Sequence, residues 1–283
     1  MLILLPPSET KTQPADGDPV DLGALSFPEL TEARESLLAR LEEVSAREDA
    51  RQLLKVGPSL AAEVERNRHL RELPAGPALQ VYTGVLYDAL DAASLTPAAR
   101  ERAGRDVVIA SALWGAIAAT DRIPAYRLSI GAKIAPKGSL AAWWKGELSP
   151  VLESRAADEL IIDCRSSAYS AAFAAPSETT VAVRAVTVSD DGQRLPAADG
   201  QHGVEPGACG GVGQDQPAKA GRPAGVLLHD PVAGGERQAL RRDEDAVLVA
   251  GGQAGVGLVK GAVDGLRLAH GGDEVGRAHQ HGL

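Results

Sequence analysis

An α+β fold, in which helices flank a mixed sheet, is predicted for residues 1–186, and three observations of the sequence predict it. Short apolar runs rich in β-branched residues indicate buried strands. Longer segments with leucine at helical spacing indicate amphipathic helices. The two types alternate without the regular period of a parallel α/β protein, which favours the α+β class.

The composition changes near Val186. All nine aromatic residues and all eight isoleucines lie in residues 1–186, whereas residues 187–283 hold 21 of the 31 glycines. A segment that lacks Phe, Tyr, Trp, Ile and Met lacks the side chains that usually fill a core. We therefore predict one domain over residues 1–186 and a Gly-rich tail over residues 187–283 that is disordered or non-native. Two origins of the tail stay open, a natural disordered segment and a frame-shifted reading of a GC-rich gene.

The chain starts with an apolar run, residues 1–5, which Pro6 and Pro7 end. This run is too short for a signal peptide or a membrane span, so it predicts a buried strand. The loop after that strand carries polar residues, namely Ser8, Glu9 and Lys11.

Helices are expected next along the chain. Ser26 and Glu29 fit a capping box, and apolar residues at helical spacing follow over residues 30–44. A second helix is predicted over residues 46–56 and a third over residues 60–70, with a break at Gly57-Pro58 between them.

The second half of the domain supplies most of the predicted sheet. Residues 81–87 fit a strand or a buried turn, although a helical start at Leu86 also fits. Thr96 before Pro97 predicts the N-cap of a helix over residues 98–105. Further elements are expected in this order: a strand over residues 106–110, a helix over 140–152, and strands over 160–164 and 179–188.

Charge and cysteine content restrict the classes of partner. The net charge of −9 would repel nucleic acid, so any contact with DNA must come from a local basic patch. Cys164 and Cys209 form no disulfide framework, which is typical of a cytoplasmic protein. Cys164 is interpreted as a packing residue, or as a peroxide-sensing thiol if it is exposed beside Arg165. We expect no cofactor, no metal site, no membrane contact and no obligate protein partner.

The break at Gly57-Pro58 is a candidate helix-hairpin-helix, in which backbone amides beside a tight turn bind phosphate independently of base sequence. The candidate DNA-binding residues are Lys55, Gly57, Pro58, Ser59, Arg66, Arg68 and Arg71. Glu63, Glu65 and Glu72 lie in the same segment and oppose this role. The alternative is an ordinary αα-hairpin with a Gly-Pro turn.

Polar residues that follow predicted strands form a second candidate site. They are Ser8, Glu9, Lys11, Asp121, Arg127, Asp163, Arg165, Ser166 and Tyr169. A lysine or arginine in such a pocket can hold an anion, and a carboxylate can act as a base. The alternative is structural, since buried Asp–Arg pairs commonly attach loops to a sheet.

Five ordered blocks resemble the YaaA peroxide-stress family (UPF0246-type) over about residues 1–186. The blocks are residues 1–11 (MLILLPPSETK), 81–86 (VYTGVL), 111–115 (SALWG) with Asp121, Ile123-Pro124 and 126–128 (YRL), Trp143-Trp144, and 162–169 (IDCRSSAY). The resemblance implies a cytosolic bacterial protein that limits peroxide damage, keeps free iron low and binds DNA through a helix-hairpin-helix.

The sequence departs from the family after Val186. Family members continue with a strand that ends near a histidine, a Lys-x-x-Lys-Gly turn and an amphipathic helix, whereas this chain has only Lys219 and Lys260 there, in no such motif. We therefore expect weak to moderate DNA affinity and a non-enzymatic role. Two alternatives remain: an enzyme that acts on a small anionic substrate around Lys11, Asp163 and Arg165, and a non-functional product with a corrupted C-terminus.

Overall fold

The computed structural model describes residues 1–188, 194–196 and 226–229, the last two segments and residues 184–188 as backbone only. The predictions for the tail, including its disorder and its frame-shifted origin, therefore lie almost entirely outside the described residues. Within the described part, helices surround a mixed sheet, so the predicted α+β class is confirmed.

Nine strands are described. In chain order they are β1 (Leu2–Leu5), β2 (Gly76–Pro77), β3 (Val107–Ser111), β4 (Gly115–Ala118), β5 (Arg122–Ile123), β6 (Ile161–Asp163), β7 (Thr180–Val188), β8 (Arg194–Pro196) and β9 (Val226–His229). The main sheet has the order β4-β3-β1-β6-β7, and both β8 and β9 pair with β7. β2 and β5 form a separate antiparallel pair.

The centre of the main sheet is parallel and its margins are antiparallel. β1 pairs in parallel with β3 on one side and with β6 on the other, and β6 pairs in parallel with β7. β4, β8 and β9 are antiparallel to their neighbours. All four residues of β1 are buried, which explains its continuous apolar sequence.

Eight α-helices surround these strands. They are α1 (Thr31–Ser45), α2 (Ala50–Leu54), α3 (Ala61–Arg66), α4 (Ala78–Val81), α5 (Val85–Leu90), α6 (Pro97–Asp106), α7 (Leu140–Ala156) and α8 (Ser167–Ser170). Short 3-10 turns lie at Pro28–Leu30, Pro58–Leu60, Asn67–His69, Ala92–Ser94 and Ser177–Thr179. No described helix is long and apolar enough to cross a lipid bilayer.

One local prediction was wrong, and the structure decides another that was left open. No side chain caps α1, because the amide and hydroxyl of Ser26 donate instead to the carboxylate of Asp121. The tertiary contact replaces the expected capping box. Residues 81–87 form no strand, since Gly84 at φ 96° separates α4 from α5. The helical start predicted at Leu86 is one residue late.

The Thr96 cap was predicted correctly. Its hydroxyl accepts from the Ala99 amide at 3.2 Å at the start of α6. Pro97 then occupies the first helical position, where its missing N–H is not needed.

The core contains a close approach between a strand and a helix. Trp144 of α7 is fully buried and donates its indole N–H to the Ala112 carbonyl at 2.9 Å. Its ring lies against Gly115, where an added Cβ would stand 2.5 Å from Cζ3. Gly115 also has φ 72°, so both its conformation and its surroundings require glycine.

Candidate functional site

The polar loops meet where parallel strands end. β1, β3 and β6 are neighbours and run in the same direction, so their carboxyl ends lie at one edge of the sheet. Lys11 follows β1, Ser111 ends β3, and Arg165 follows β6. Such edges are the usual place for ligand sites in parallel sheets.

Lys11 lies against two tyrosine rings. Its Nζ is 4.4 Å from the ring centre of Tyr126 and 5.2 Å from that of Tyr82, and it donates to the Ser8 carbonyl at 2.8 Å. Lys11 is half-buried, whereas Glu9 and Thr10 are exposed. The lysine therefore lies in an aromatic enclosure just below the surface.

Arg127 takes the carboxylates that lie nearest to Lys11. Its Nη2 is 2.8 Å from Glu9 and its Nη1 is 3.8 Å from Glu63 on α3. Nη1 also donates to the Glu9 carbonyl at 3.0 Å. Its Nε is buried and has no hydrogen-bond partner among the described residues.

Asn67, which follows α3, forms hydrogen bonds with the backbone of this arginine. Its side chain donates to the Arg127 carbonyl at 2.9 Å and accepts from the Arg127 amide at 2.8 Å. Asn67 is fully buried in the 3-10 turn that follows α3. The loop that carries Tyr126 and Arg127 is thus attached to the α2–α3 region.

Burial lowers the pKa of Lys11 to about 7. The charge of Glu9 raises this pKa, that of Arg127 lowers it and that of Glu63 raises it, in decreasing order of size. Loss of hydration outweighs the attraction to the carboxylates, since Arg127 repels the ammonium and binds the same carboxylates. Lys11 is therefore partly in its neutral amine form near pH 7.

A chain of hydroxyl groups extends behind the lysine. Tyr126 Oη lies 2.7 Å from Ser111 Oγ and 2.9 Å from Tyr82 Oη. Ser111 Oγ accepts from the amides of Leu113 and Trp114, so its own proton is directed to Tyr126. Burial raises the pKa of Tyr82 to about 12 and that of Tyr126 well above its ordinary value, so both phenols stay protonated.

The residues after β6 form a buried ion pair. Arg165 binds Asp163 through two hydrogen bonds of 2.9 and 3.0 Å and donates to the Phe173 carbonyl at 2.9 Å. Burial is the largest cause that raises the pKa of Tyr169, and the charges of Tyr82 and Glu9 raise it further. A cavity of about 10 Å³, room for about one water molecule, touches Ser111, Arg165 and Tyr169.

The candidate pocket residues thus divide into three groups. Glu9, Lys11 and Arg127 lie together with Ser8, whose hydroxyl accepts from the Thr83 amide at 3.1 Å. The Asp163–Arg165 pair is a structural neighbour, and Ser166 is the N-cap residue of α8, without a side-chain cap. Asp121 lies elsewhere, where it accepts from Ser26 and from the Ala118 amide.

Sequence reasoning missed three members of this site. Tyr82, Tyr126 and Ser111 entered the sequence analysis only as members of the blocks 81–86, 126–128 and 111–115 that resemble the family. The available signal was the end of β3, because Ser111 is the first polar side chain after a buried strand. The side-by-side placement of the tyrosines depends on tertiary folding and left no sequence signal.

The α2–α3 hairpin exposes its turn. Lys55 has left-handed backbone geometry at φ 55° and is exposed, as are Gly57, Pro58 and Ser59. Arg68 pairs with Glu65 at 2.6 Å, while Arg71 binds both Glu35 and Glu42. The Glu35 and Glu42 contacts raise the pKa of Arg71. Arg66 is half-buried on α3.

The described residues contain no group of three or more His, Cys, Asp or Glu side chains that could hold a metal ion. Cys164 is a half-buried cysteine between Asp163 and Arg165. Its peroxide-sensing role stays a prediction.

Comparison with known proteins identifies the family of this sequence. The sequence model described as peroxide stress protein YaaA matches residues 1–195. The UPF0246 protein SCO2297 of Streptomyces coelicolor is 48% identical over 190 residues, which cover 66% of this chain and 72% of the relative. The UPF0246 protein CE1889 of Corynebacterium efficiens is 45% identical over 190 residues, 66% of this chain and 75% of the relative.

The class is therefore an α+β protein with a polar site at the carboxyl edge of its parallel strands. The chain belongs to the YaaA peroxide-stress family, also called UPF0246. This membership supports a role in peroxide stress.

Proposed function

We propose that this peroxide-stress protein acts in the cytoplasm by binding duplex DNA independently of base sequence, through the α2–α3 hairpin as a helix-hairpin-helix. The exposed turn from Lys55 to Ser59 is the observation that carries the proposal. Its left-handed residue, its glycine and its serine hydroxyl suit close approach to a phosphate. Such contacts position a protein on the backbone without reading bases.

The charges around the hairpin indicate modest affinity. The guanidinium groups of Arg68 and Arg71 are already neutralised by glutamates, so Lys55 and Arg66 supply most of the available positive charge. If about two phosphates are neutralised, the logarithm of affinity falls with the logarithm of salt concentration with a slope of about −2. A strongly basic DNA-binding protein would show a much steeper slope.

Fluorescence anisotropy with duplexes of unrelated sequence tests this function. Lys55→Glu should weaken binding about tenfold on every duplex and make the salt slope shallower by about one. Lys145→Glu on α7 is the matched control, because it changes the net charge equally at another exposed lysine. An equal loss in both variants, or an affinity that does not depend on salt, would disprove hairpin binding.

Limitation of free iron belongs to the same proposal. Iron(II) converts hydrogen peroxide into hydroxyl radical, so less free iron and a covered duplex would reduce the same damage. Electron paramagnetic resonance of chelated iron in peroxide-treated cells provides the test. Cells that lack the gene should hold severalfold more free iron, and equal levels would remove this part of the function.

The second candidate function is an enzyme for a small anionic substrate. Lys11, whose pKa of about 7 makes it partly neutral, is the observation that favours it. Asp163 and Arg165 satisfy one another and Arg127 is paired with Glu9, so Lys11 is the cation of this group left to meet an anion. Inorganic phosphate at millimolar concentration should raise the melting temperature of the wild type and not that of Lys11→Met. An equal rise in both proteins would reject this pocket.

A further inference from the structure

Lys11 is a lysine without a carboxylate of its own. Glu9 and Glu63, the carboxylates whose charges act on it, both pair with Arg127. Nζ donates a hydrogen bond to a carbonyl, that of Ser8. In this arrangement the ammonium form lacks the carboxylate partner that usually stabilises it. A fraction of the Lys11 side chains is therefore a nucleophilic amine at neutral pH.

The surroundings of the amine suit a reaction that loses water. The rings of Tyr82 and Tyr126 cover one side of Nζ and exclude solvent there. Glu9 and Thr10 are exposed, so the site borders the surface. Condensation of an amine with a carbonyl compound releases water, and a water-poor enclosure favours that product.

Arg127 offers an unused donor beside this amine. Its buried Nε has no acceptor among the described residues, although its terminal nitrogens bind Glu9. A buried donor without a partner is unfavourable, so an acceptor oxygen brought by a ligand would be stabilised there. The site therefore combines a nucleophile with a hydrogen-bond donor for an oxygen atom.

The amine is also connected to the hairpin. Glu63 on α3 reaches Arg127, and Asn67 holds the backbone of Arg127 through two hydrogen bonds. The elements that enclose Lys11 are thus attached to the segment assigned to DNA.

We propose that Lys11 forms an imine with the aldehyde of a ring-opened deoxyribose phosphate, the group that remains where DNA has lost a base. This inference rests on the proposed DNA binding and names the chemical group that the adjacent site recognises. The same aldehyde occurs on a free sugar phosphate, so the shared chemistry is the aldehyde itself.

The step balances without any oxidant or reductant. The nitrogen lone pair of Lys11 attacks the aldehyde carbon, and the carbonyl oxygen takes one proton from nitrogen to give a carbinolamine. The hydroxyl group then leaves with the second proton as water, and a carbon–nitrogen double bond forms. Water can reverse both steps.

Reductive trapping of the full chain tests the proposal. The protein is incubated with cyanoborohydride and one of three probes: a duplex with a single abasic site, the matched intact duplex, or 2-deoxyribose 5-phosphate. Mass spectrometry then measures the adduct and locates the modified lysine by peptide mapping. We expect an adduct at Lys11 with the abasic duplex, at least tenfold above the adduct with free sugar phosphate at equal concentration.

Two variants provide the comparison. Lys11→Arg keeps the positive charge without a nucleophilic amine, and it should lose at least nine-tenths of the adduct while its affinity for intact duplex stays within twofold. Lys137→Arg, at an exposed lysine in the loop before α7, should trap as well as the wild type.

The outcomes separate this inference from the proposed function. Binding of duplex without an adduct, or an adduct at Lys55 instead of Lys11, overturns the imine and leaves DNA binding intact. An equal adduct with the free sugar phosphate overturns DNA as the source of the aldehyde. Failure to bind either duplex overturns the proposed function and, with it, this inference. Peptide mapping of the wild type gives the answer even if Lys11→Arg does not fold.

Discussion

The carboxylate of Glu9 lies 2.8 Å from Nη2 of Arg127, so the acidic residue closest in sequence to Lys11 neutralises an arginine instead of the lysine. Arg127 thereby controls the protonation of Lys11 in two ways. It binds the carboxylates that would stabilise the ammonium, and its own charge repels it. The reactivity of Lys11 should therefore depend on a residue 116 positions away in the sequence.

Arg127→Gln should raise the pKa of Lys11 towards its ordinary value. Glu9 and Glu63 become free to attract the ammonium, and the repulsion disappears. Each unit of increase lowers the ratio of amine to ammonium at a given pH about tenfold. The pH dependence of acylation at Lys11, measured by mass spectrometry, checks this. Arg71→Gln, at an exposed arginine held by Glu35 and Glu42, should leave the midpoint unchanged.

Lys11→Met should change how stability depends on pH. In the wild type the pKa of Lys11 is about 7 in the folded state, below that of an unfolded lysine. Between these values the unfolded state binds more protons, so the Lys11 contribution makes stability rise with pH from about 7 to about 10 and is most unfavourable below 7. The variant should gain on the order of 2 kcal/mol relative to wild type at pH 6, after allowance for solvent screening, and lose this gain by pH 10.

Urea unfolding at several pH values provides the measurement for Lys11→Met. Lys137→Met removes an exposed lysine and should differ from wild type by a constant amount. A Lys11→Met difference that is equally constant would show that the folded protein keeps Lys11 protonated at neutral pH.

Asp163→Asn should be strongly destabilising. It leaves the buried guanidinium of Arg165 without its charged partner, which costs about 3–5 kcal/mol in such pairs. Asp49→Asn is the control, because it breaks an exposed pair with Arg47 and should change the stability far less. Urea midpoints of both variants give the comparison, and similar losses would show that the buried pair has no special weight.

Gly115→Ala should be the most damaging of three glycine substitutions. Its new methyl group meets the Trp144 ring, and its backbone keeps a left-handed conformation, for a combined cost of about 2–5 kcal/mol. Gly138→Ala isolates the conformational part, about 1–2 kcal/mol, since its φ is 69° in open space. Gly146→Ala in α7 should stabilise by about 0.5–1 kcal/mol. Thermal melts should follow this order, and a mild Gly115→Ala would contradict the close packing.

Apolar runs predicted the sheet well because their cause is local. A strand buried on both faces must be apolar throughout, so β1, β3 and β6 were found from the sequence. β7 was found because valine alternates there with smaller or polar residues. β4 escaped detection, since its four residues contain only one β-branched side chain and follow directly from the Trp114 turn. The structure around Ser26 depends on a tertiary contact, because Ser26 bonds to Asp121 instead of capping a helix.

The candidate site was only partly predictable for the same reason. Strand ends placed Glu9 and Lys11 near Arg165, because the order of residues along each strand fixes where the chain leaves the sheet. The partner of each charge was not predictable. Arg127 reaches Glu9 across 118 positions, and Asp163 is taken by Arg165 two positions later.

Asn67 both gives and receives a hydrogen bond at one backbone residue, Arg127. Because both hydrogen bonds join the same two residues, their segments cannot separate while either bond stays intact. If the α2–α3 region moves when it binds a ligand, the loop that carries Tyr126 must move with it, or both hydrogen bonds must break. A displacement of the α2–α3 region is therefore transmitted to Tyr126 and changes the surroundings of Lys11.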